Sequence, residues 1–94
     1  MPVLHIEHRV NDLDMWLRDY ASRAPVREQV GVTEVRLLQA DDDPLYIVEL
    51  IFFDAAEAAN NYVTFLREHV WTSSRPGLSS NPSGRILHEL EPGA

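Results

Sequence analysis

The side chains of this chain that could carry chemistry are few, and its histidines come first. His8 interrupts the apolar face of a segment that alternates like a strand, with Leu4, Ile6 and Val10 on the same side. His88 stands in a similar segment near the other end of the chain, on one face with Ile86 and Leu90. If both faces turn toward one interior, the two imidazoles approach each other under Trp16 and Tyr62. They could then act as a catalytic acid and base near neutral pH. The structural alternative is two hydrogen-bonded, partly buried histidines. His5-x-x-His8 has the spacing of a metal pair in some folds, but residues three apart on a strand point to opposite faces. One ion cannot reach both, and no metal site is expected. Glu49 lies in the middle of the most apolar segment, LYIVELIFF. A carboxylate there must pair, reach water or hold its proton, and the last would suit a general base. A cross-strand pair with Arg9 or Arg36, or a salt bridge at a subunit interface, is the other reading. Trp16, Tyr20, Tyr62, Phe65 and Trp71 would either line a pocket for a flat ligand or pack the core. His69 shares the stripe that carries Tyr62, and Arg75 is the cation nearest the expected pocket mouth.

Composition sets the limits within which these residues work. The chain has 94 residues, no cysteine and a formal net charge of -7. This is the length of one domain, 1–94, able to bury a modest core. The absence of cysteine excludes a disulfide scaffold and a thiolate nucleophile or ligand. All eight basic residues are arginine, so there is no lysine for Schiff-base chemistry. The acidic balance argues against nucleic acid, which needs a basic face. No apolar run approaches the ~20 residues of a membrane span, and the amino-terminal segment has no signal-like apolar stretch. A cytoplasmic location is the expectation. No phosphate-binding glycine loop, nucleophile elbow or zinc-protease helix motif occurs.

These residues must be positioned by elements that the patterning spells out. Val3 to Val10 alternates as a strand. Asp12 is placed to cap a helix whose stripe runs Leu13, Trp16, Leu17, Tyr20, Ala21 and Ala24. Pro25 ends or kinks it, Val26 to Val30 adds a short turn, and Gly31 closes that turn. Val32 to Ala40 reads as a second strand, the Asp41–Pro44 run as a turn, and Leu45 to Phe53 as a central strand buried on both faces. Asp54 and Glu57 have the spacing of a capping box. Behind it come Ala55, Ala58, Ala59, Tyr62, Phe65, Leu66 and His69 as an inner stripe. Thr72 to Gly84 is loop, long enough for a lid, and Arg85 to Glu91 is a last strand.

The order βαββαβ is the ferredoxin-like plan: a four-stranded antiparallel sheet, order 4-1-3-2, with both helices on one face. Two helices cover one face only. Placing Leu4, Ile6 and Val10 with Tyr46, Val48, Leu50 and Phe52 under the helices leaves Ile47, Glu49, Ile51 and Phe53 on the open face. That face is too apolar for water. A homodimer through the sheet faces follows, with Glu7, Arg9, Glu34, Arg36 and Glu49 pairing across it.

With these elements in place, the chain resembles the dimeric α+β barrel proteins from Val3 to Leu90. The resemblance rests on Asp12-Leu13-Asp14-Met15-Trp16 after the first strand, Gly31-Val32, Asp43-Pro44, and Phe53-Asp54 with Glu57-Ala58. More narrowly, His5-Ile6-Glu7-His8 and the segment from Trp71 to Leu78 resemble small uncharacterised actinobacterial proteins related to antibiotic-biosynthesis-type monooxygenases. The wider group includes cofactor-free monooxygenases, haem-degrading enzymes, isomerases, cyclases and stress-response dimers. Its haem-degrading branch implies an early-strand Asn with a Trp and a His. His69 and Trp71 match the latter two, but Glu7 or His8 stands where the Asn would be. Its monooxygenase branch implies Asn, Trp and Tyr around a pocket, residue types that Asn60, Asn61, Tyr62 and Trp71 supply.

Two functions follow from this reading. One is a cofactor-independent monooxygenase, isomerase or cyclase acting on a small aromatic or polyketide-like substrate. Its acid–base groups would be His8 and His88, with Trp16, Tyr62, His69, Trp71 and Arg75 binding the ligand. The other is a non-catalytic homodimer that binds a small apolar ligand or supports an assembly or a stress response.

Overall fold

The computed structural model describes residues 1–71 and 82–92. Four strands form one antiparallel sheet: β1 (Pro2–Arg9), β2 (Val32–Ala40), β3 (Asp43–Phe53) and β4 (Ser83–His88). Their order is β2-β3-β1-β4, as the ferredoxin-like plan requires. The helices are α1 (Leu13–Ser22), α2 (Ala24–Gln29) and α3 (Ala56–Phe65), the last running on as a π-helical turn over Leu66–Val70.

Local chemistry explains most of the boundaries. The Asp12 carboxylate accepts the Met15 backbone N–H at 3.0 Å and caps α1. Pro25 falls in the first turn of α2, where its missing N–H has no helical partner to lose. Gly31 takes φ +92, the left-handed conformation that ends α2. At the β2–β3 turn, Asp43 accepts from Arg9 at 2.9 Å and from the Leu45 N–H at 3.1 Å. The Arg9 hydrogen bond chiefly holds its carboxyl below the ordinary 3.8.

Four expectations need correction. The capping box does not form: Ala55 is the N-cap of α3 and no side chain bonds there, so Asp54 stands one residue outside the helix. Strand β4 is Ser83–His88 rather than 85–91. Its register against β1 runs from Glu7↔Ser83 to Pro2↔His88, and β1 has no residue left to pair beyond that point. The π turn was not anticipated. Its extra residue per turn rotates the inner stripe, so Val70 is buried in place of His69, which is exposed. The segment 72–81, which holds Arg75 and most of the expected loop, lies outside the described residues.

The fourth correction concerns which face of β3 is buried. The register pairs Leu4 with Ile51, Ile6 with Glu49 and His8 with Ile47. Ile47, Glu49, Ile51 and Phe53 therefore face the helices with Leu4, Ile6, His8 and Val10, and all are buried. A strand apolar on both sides gives alternation nothing to orient by, and its one carboxylate suggests the wrong side. Glu49 is inward because a partner waits there.

The core has two parts. Under α3 lie Leu4, Ile6, Ile51, Phe53, Ala59, Tyr62, Val63, Leu66 and Val70. Under α1 lie Val10, Trp16, Tyr20 and Ile47. Trp71 closes the far edge of the first part. A Cβ on Gly84 would stand 2.9 Å from its indole, so the ring lies flush on β4 only because residue 84 has no side chain. Among the described residues no helix covers the opposite face of the sheet. That face carries Val3, Tyr46, Val48, Leu50 and Phe52, all half-buried, beside the exposed Leu38 and Leu87.

Candidate functional site

A polar pair sits at the seam between the two core parts. His8 Nε2 and Glu49 Oε2 are 3.2 Å apart, with the side chains 1% and 7% exposed. They come from adjacent rows of the sheet: His8 pairs with Ile47, and Glu49 pairs with Ile6 on one side and Leu37 on the other. Trp16 from α1 places its ring edge-on to His8, with centroids 5.4 Å apart, and stacks on Tyr20 at 5.1 Å. A carboxylate hydrogen-bonded to an imidazole fixes its tautomer and orients its ring, which is the arrangement a general base needs.

The pair is backed by a second group of buried polar side chains. The Arg27 guanidinium lies 3.8 Å over the Tyr20 ring and donates to the Tyr20 carbonyl at 2.9 Å. Its other side-chain partner is the Tyr62 hydroxyl. Arg23 is buried too and pairs with Asp19. Burial pushes the Tyr20 phenol far above its ordinary 10.0, and the nearby Glu49 charge adds to the effect, with Arg27 opposing. Burial also raises Tyr62, with Arg27 again opposing. Both phenols are therefore neutral hydroxyls across the physiological range.

An apolar cleft of about 180 Å³ opens beside the pair, lined by Leu13, Trp16, Leu17, Leu37, Leu38, Gln39 and Ile47. Three of these residues are direct neighbours of the pair: Trp16 touches His8, Ile47 pairs with His8, and Leu37 pairs with Glu49. The cleft is smaller than an ordinary small-molecule pocket, and its apolar walls suit one flat ring.

The structure brings together only part of the expected set. His8, Trp16 and Tyr62 share the helix-side interior. His88 is on the same sheet face but pairs with Pro2, six residues along β1 from His8. That is about 20 Å at strand spacing, so the two imidazoles do not meet. His69 is exposed, with its ring 5.4 Å from Phe65. Trp71 packs over Gly84, and Asn60 and Asn61 are exposed on α3. Sequence reasoning singled out Glu49 but not His8 as its partner, and did not single out Arg23 or Arg27 at all. A signal for Arg27 exists: it falls seven residues after Tyr20, on the inner side of the short helix. Among the described residues no group of three or more His, Cys, Asp or Glu side chains could hold a metal ion.

Two solved structures share this architecture. One is a candidate antibiotic biosynthesis monooxygenase from Nitrosomonas europaea, at 19% identity, covering 99% of this chain and 93% of that one, with a TM-score of 0.58. The other is Rv0793 from Mycobacterium tuberculosis, at 19% identity over the whole of both chains, with a TM-score of 0.59. This chain has their fold. The ferredoxin-like α+β fold is thus shared with both over nearly the whole chain, and at this identity the likeness shows the fold alone. No protein-family model matches the chain, and no curated protein does. Within this fold, a His–Glu pair buried behind the Trp16 wall is what the side chains of this chain build.

Proposed function

We propose that the protein is a cofactor-independent enzyme of the monooxygenase, isomerase or cyclase type, acting on a small aromatic or polyketide-like molecule held in the Trp16 cleft. The observation that carries this reading is the His8–Glu49 pair, buried directly behind the cleft wall. His8 takes a proton from an acidic C–H or phenol O–H of the ligand, and Glu49 stabilises the imidazolium that results. Returning the proton elsewhere on the ligand gives isomerisation or ring closure. Oxygenation needs dioxygen as second substrate: an activated methylene becomes a carbonyl and the other oxygen atom leaves as water.

The test is exchange of the activated methylene protons of benzoylacetone in D2O, followed by proton NMR. The protein accelerates exchange, and His8→Asn loses about 10²–10⁴-fold of that acceleration. Equal rates with and without the protein defeat the reading. A second reading is favoured by the 1% exposure of the His8 side chain. With the imidazole walled off, the cleft would bind an apolar ligand without turning it over. That case gives ligand-dependent stabilisation and no exchange.

We also propose a homodimer formed through the open sheet face, working in the cytoplasm, where a chain without cysteine needs no disulfides. The apolar centre of that face is Val3, Val48, Leu50 and Phe52, flanked by the charged Glu7, Arg9, Glu34, Arg36 and Arg85. A two-fold operation sets such a patch on itself, with opposite charges available at its margin. Sedimentation equilibrium is expected to give twice the 10.7 kDa chain mass. Leu50→Asp, which buries a charge at the centre of the interface, is expected to give the monomer. A monomeric wild-type protein contradicts the interface.

A further inference from the structure

Arg27 is a buried cation with no carboxylate within 4.0 Å among the described residues, although the other buried arginine, Arg23, has Asp19. A buried charge without a close counter-ion is costly. Two further polar atoms beside it lack hydrogen-bond partners among the described residues: the Tyr20 hydroxyl and Arg23 Nε. Each can donate a hydrogen bond, and the Tyr62 hydroxyl stands at Arg27 as well. The Arg27 and Arg23 guanidiniums lie 3.8 and 5.9 Å from the centre of the same Tyr20 ring. The cluster is therefore short of an acceptor rather than of a donor. Glu49 is a buried carboxylate whose charge acts on both phenols, but its Oε2 is engaged by His8 and it forms no ion pair with Arg27.

We propose that Arg27, with Arg23 and the Tyr20 and Tyr62 hydroxyls, forms an anion subsite. It takes the acidic oxygen of the ligand, whether carboxylate, phenolate or enolate. The inference rests on the proposed aromatic or polyketide-like ligand and narrows it to one carrying such an oxyanion. Trp16 has His8 at its edge and Tyr20 against its face. His8 of the acid–base pair and Tyr20 of the donor cluster thus both pack on one indole. Where the held oxygen is that of an enolate or phenolate, Arg27 stabilises the charge that proton removal by His8 puts there, so the subsite would also favour the deprotonated ligand. On a chain of net charge -7, anionic ligands are repelled at long range. A preference for them therefore has to come from a local cation.

The test is titration calorimetry with 2-naphthoate and with its neutral methyl ester. Wild type is expected to bind the acid at least tenfold more tightly than the ester. Arg27→Met is expected to lose that preference while binding the ester as before, and Arg27→Lys to keep part of it. The wild-type comparison needs no variant to fold and is decisive by itself. Ester binding equal to or tighter than acid binding overturns the subsite and leaves the cleft standing. Failure of both probes to bind wild type overturns the subsite and the cleft together. An Arg27→Met protein that folds, as judged by its melting curve, and keeps the tenfold preference places the anion elsewhere and also overturns the assignment.

Discussion

His8→Ala is expected to lower stability by about 3–5 kcal/mol, because it leaves Glu49 buried beside a cavity without its hydrogen-bonding partner. For a domain of this size the melting temperature then falls by at least about 12 °C. Glu49→Gln keeps an acceptor for the imidazole N–H and is expected to cost only about 1–2 kcal/mol. Replacing both residues by apolar ones of similar volume removes the desolvation penalty along with the attraction. The double variant His8→Leu/Glu49→Met is therefore expected to be more stable than His8→Ala. Urea unfolding of the four proteins checks the set. If His8→Ala unfolds like wild type, the pair is not buried as described. The result matters for function: a pair that is dispensable for stability when both members are replaced is retained for some other reason.

The second large effect is expected at Trp16, which is 1% exposed and packs against both His8 and Tyr20. Trp16→Ala is expected to cost about 3–5 kcal/mol, the transfer term plus the cavity left behind. The cavity joins the cleft and opens a path to the His8–Glu49 pair. Added indole is expected to occupy it and restore part of the melting temperature in proportion to the logarithm of its concentration. Differential scanning fluorimetry across an indole series measures this. Wild type, which has the cleft but not the added cavity, is expected to shift less at the same concentrations, and an equal shift in both proteins would mean that the indole does not fill the new cavity.

The fold was legible because its elements carry strong local signals. Asp12 at a cap, Gly31 where φ turns positive and Asp43-Pro44 at a hairpin each act within a few residues, and α1 shows a clean apolar stripe. What was not legible depends on partners distant in sequence. The inward face of β3 is set by pairing with β1, and Glu49 turns in because His8, 41 residues away, receives it. The end of β4 is set by where β1 runs out. The π turn after α3 sets Val70 and Trp71 against the sheet and leaves His69 in solvent. The candidate site followed the same rule. His8 and Trp16 stood out by type and spacing. Arg27 did not, because an arginine in a six-residue helix looks like a solvated charge until its neighbours are known. The inversion of β3 leaves an apolar face open all the same, since both faces of that strand are apolar, and the proposed dimer would use Val48, Leu50 and Phe52 in place of Ile47, Ile51 and Phe53.

The central claim is that ligand chemistry is centred on the buried His8–Glu49 pair behind Trp16. The most direct test is NMR of protein labelled with ¹⁵N at its four histidines, recorded with and without saturating benzoylacetone. The account predicts that the His8 ring resonances shift and that those of His5, on the open face, and of His88, at the far end of β1, stay in place. A spectrum in which His8 is unmoved while another histidine responds would contradict it.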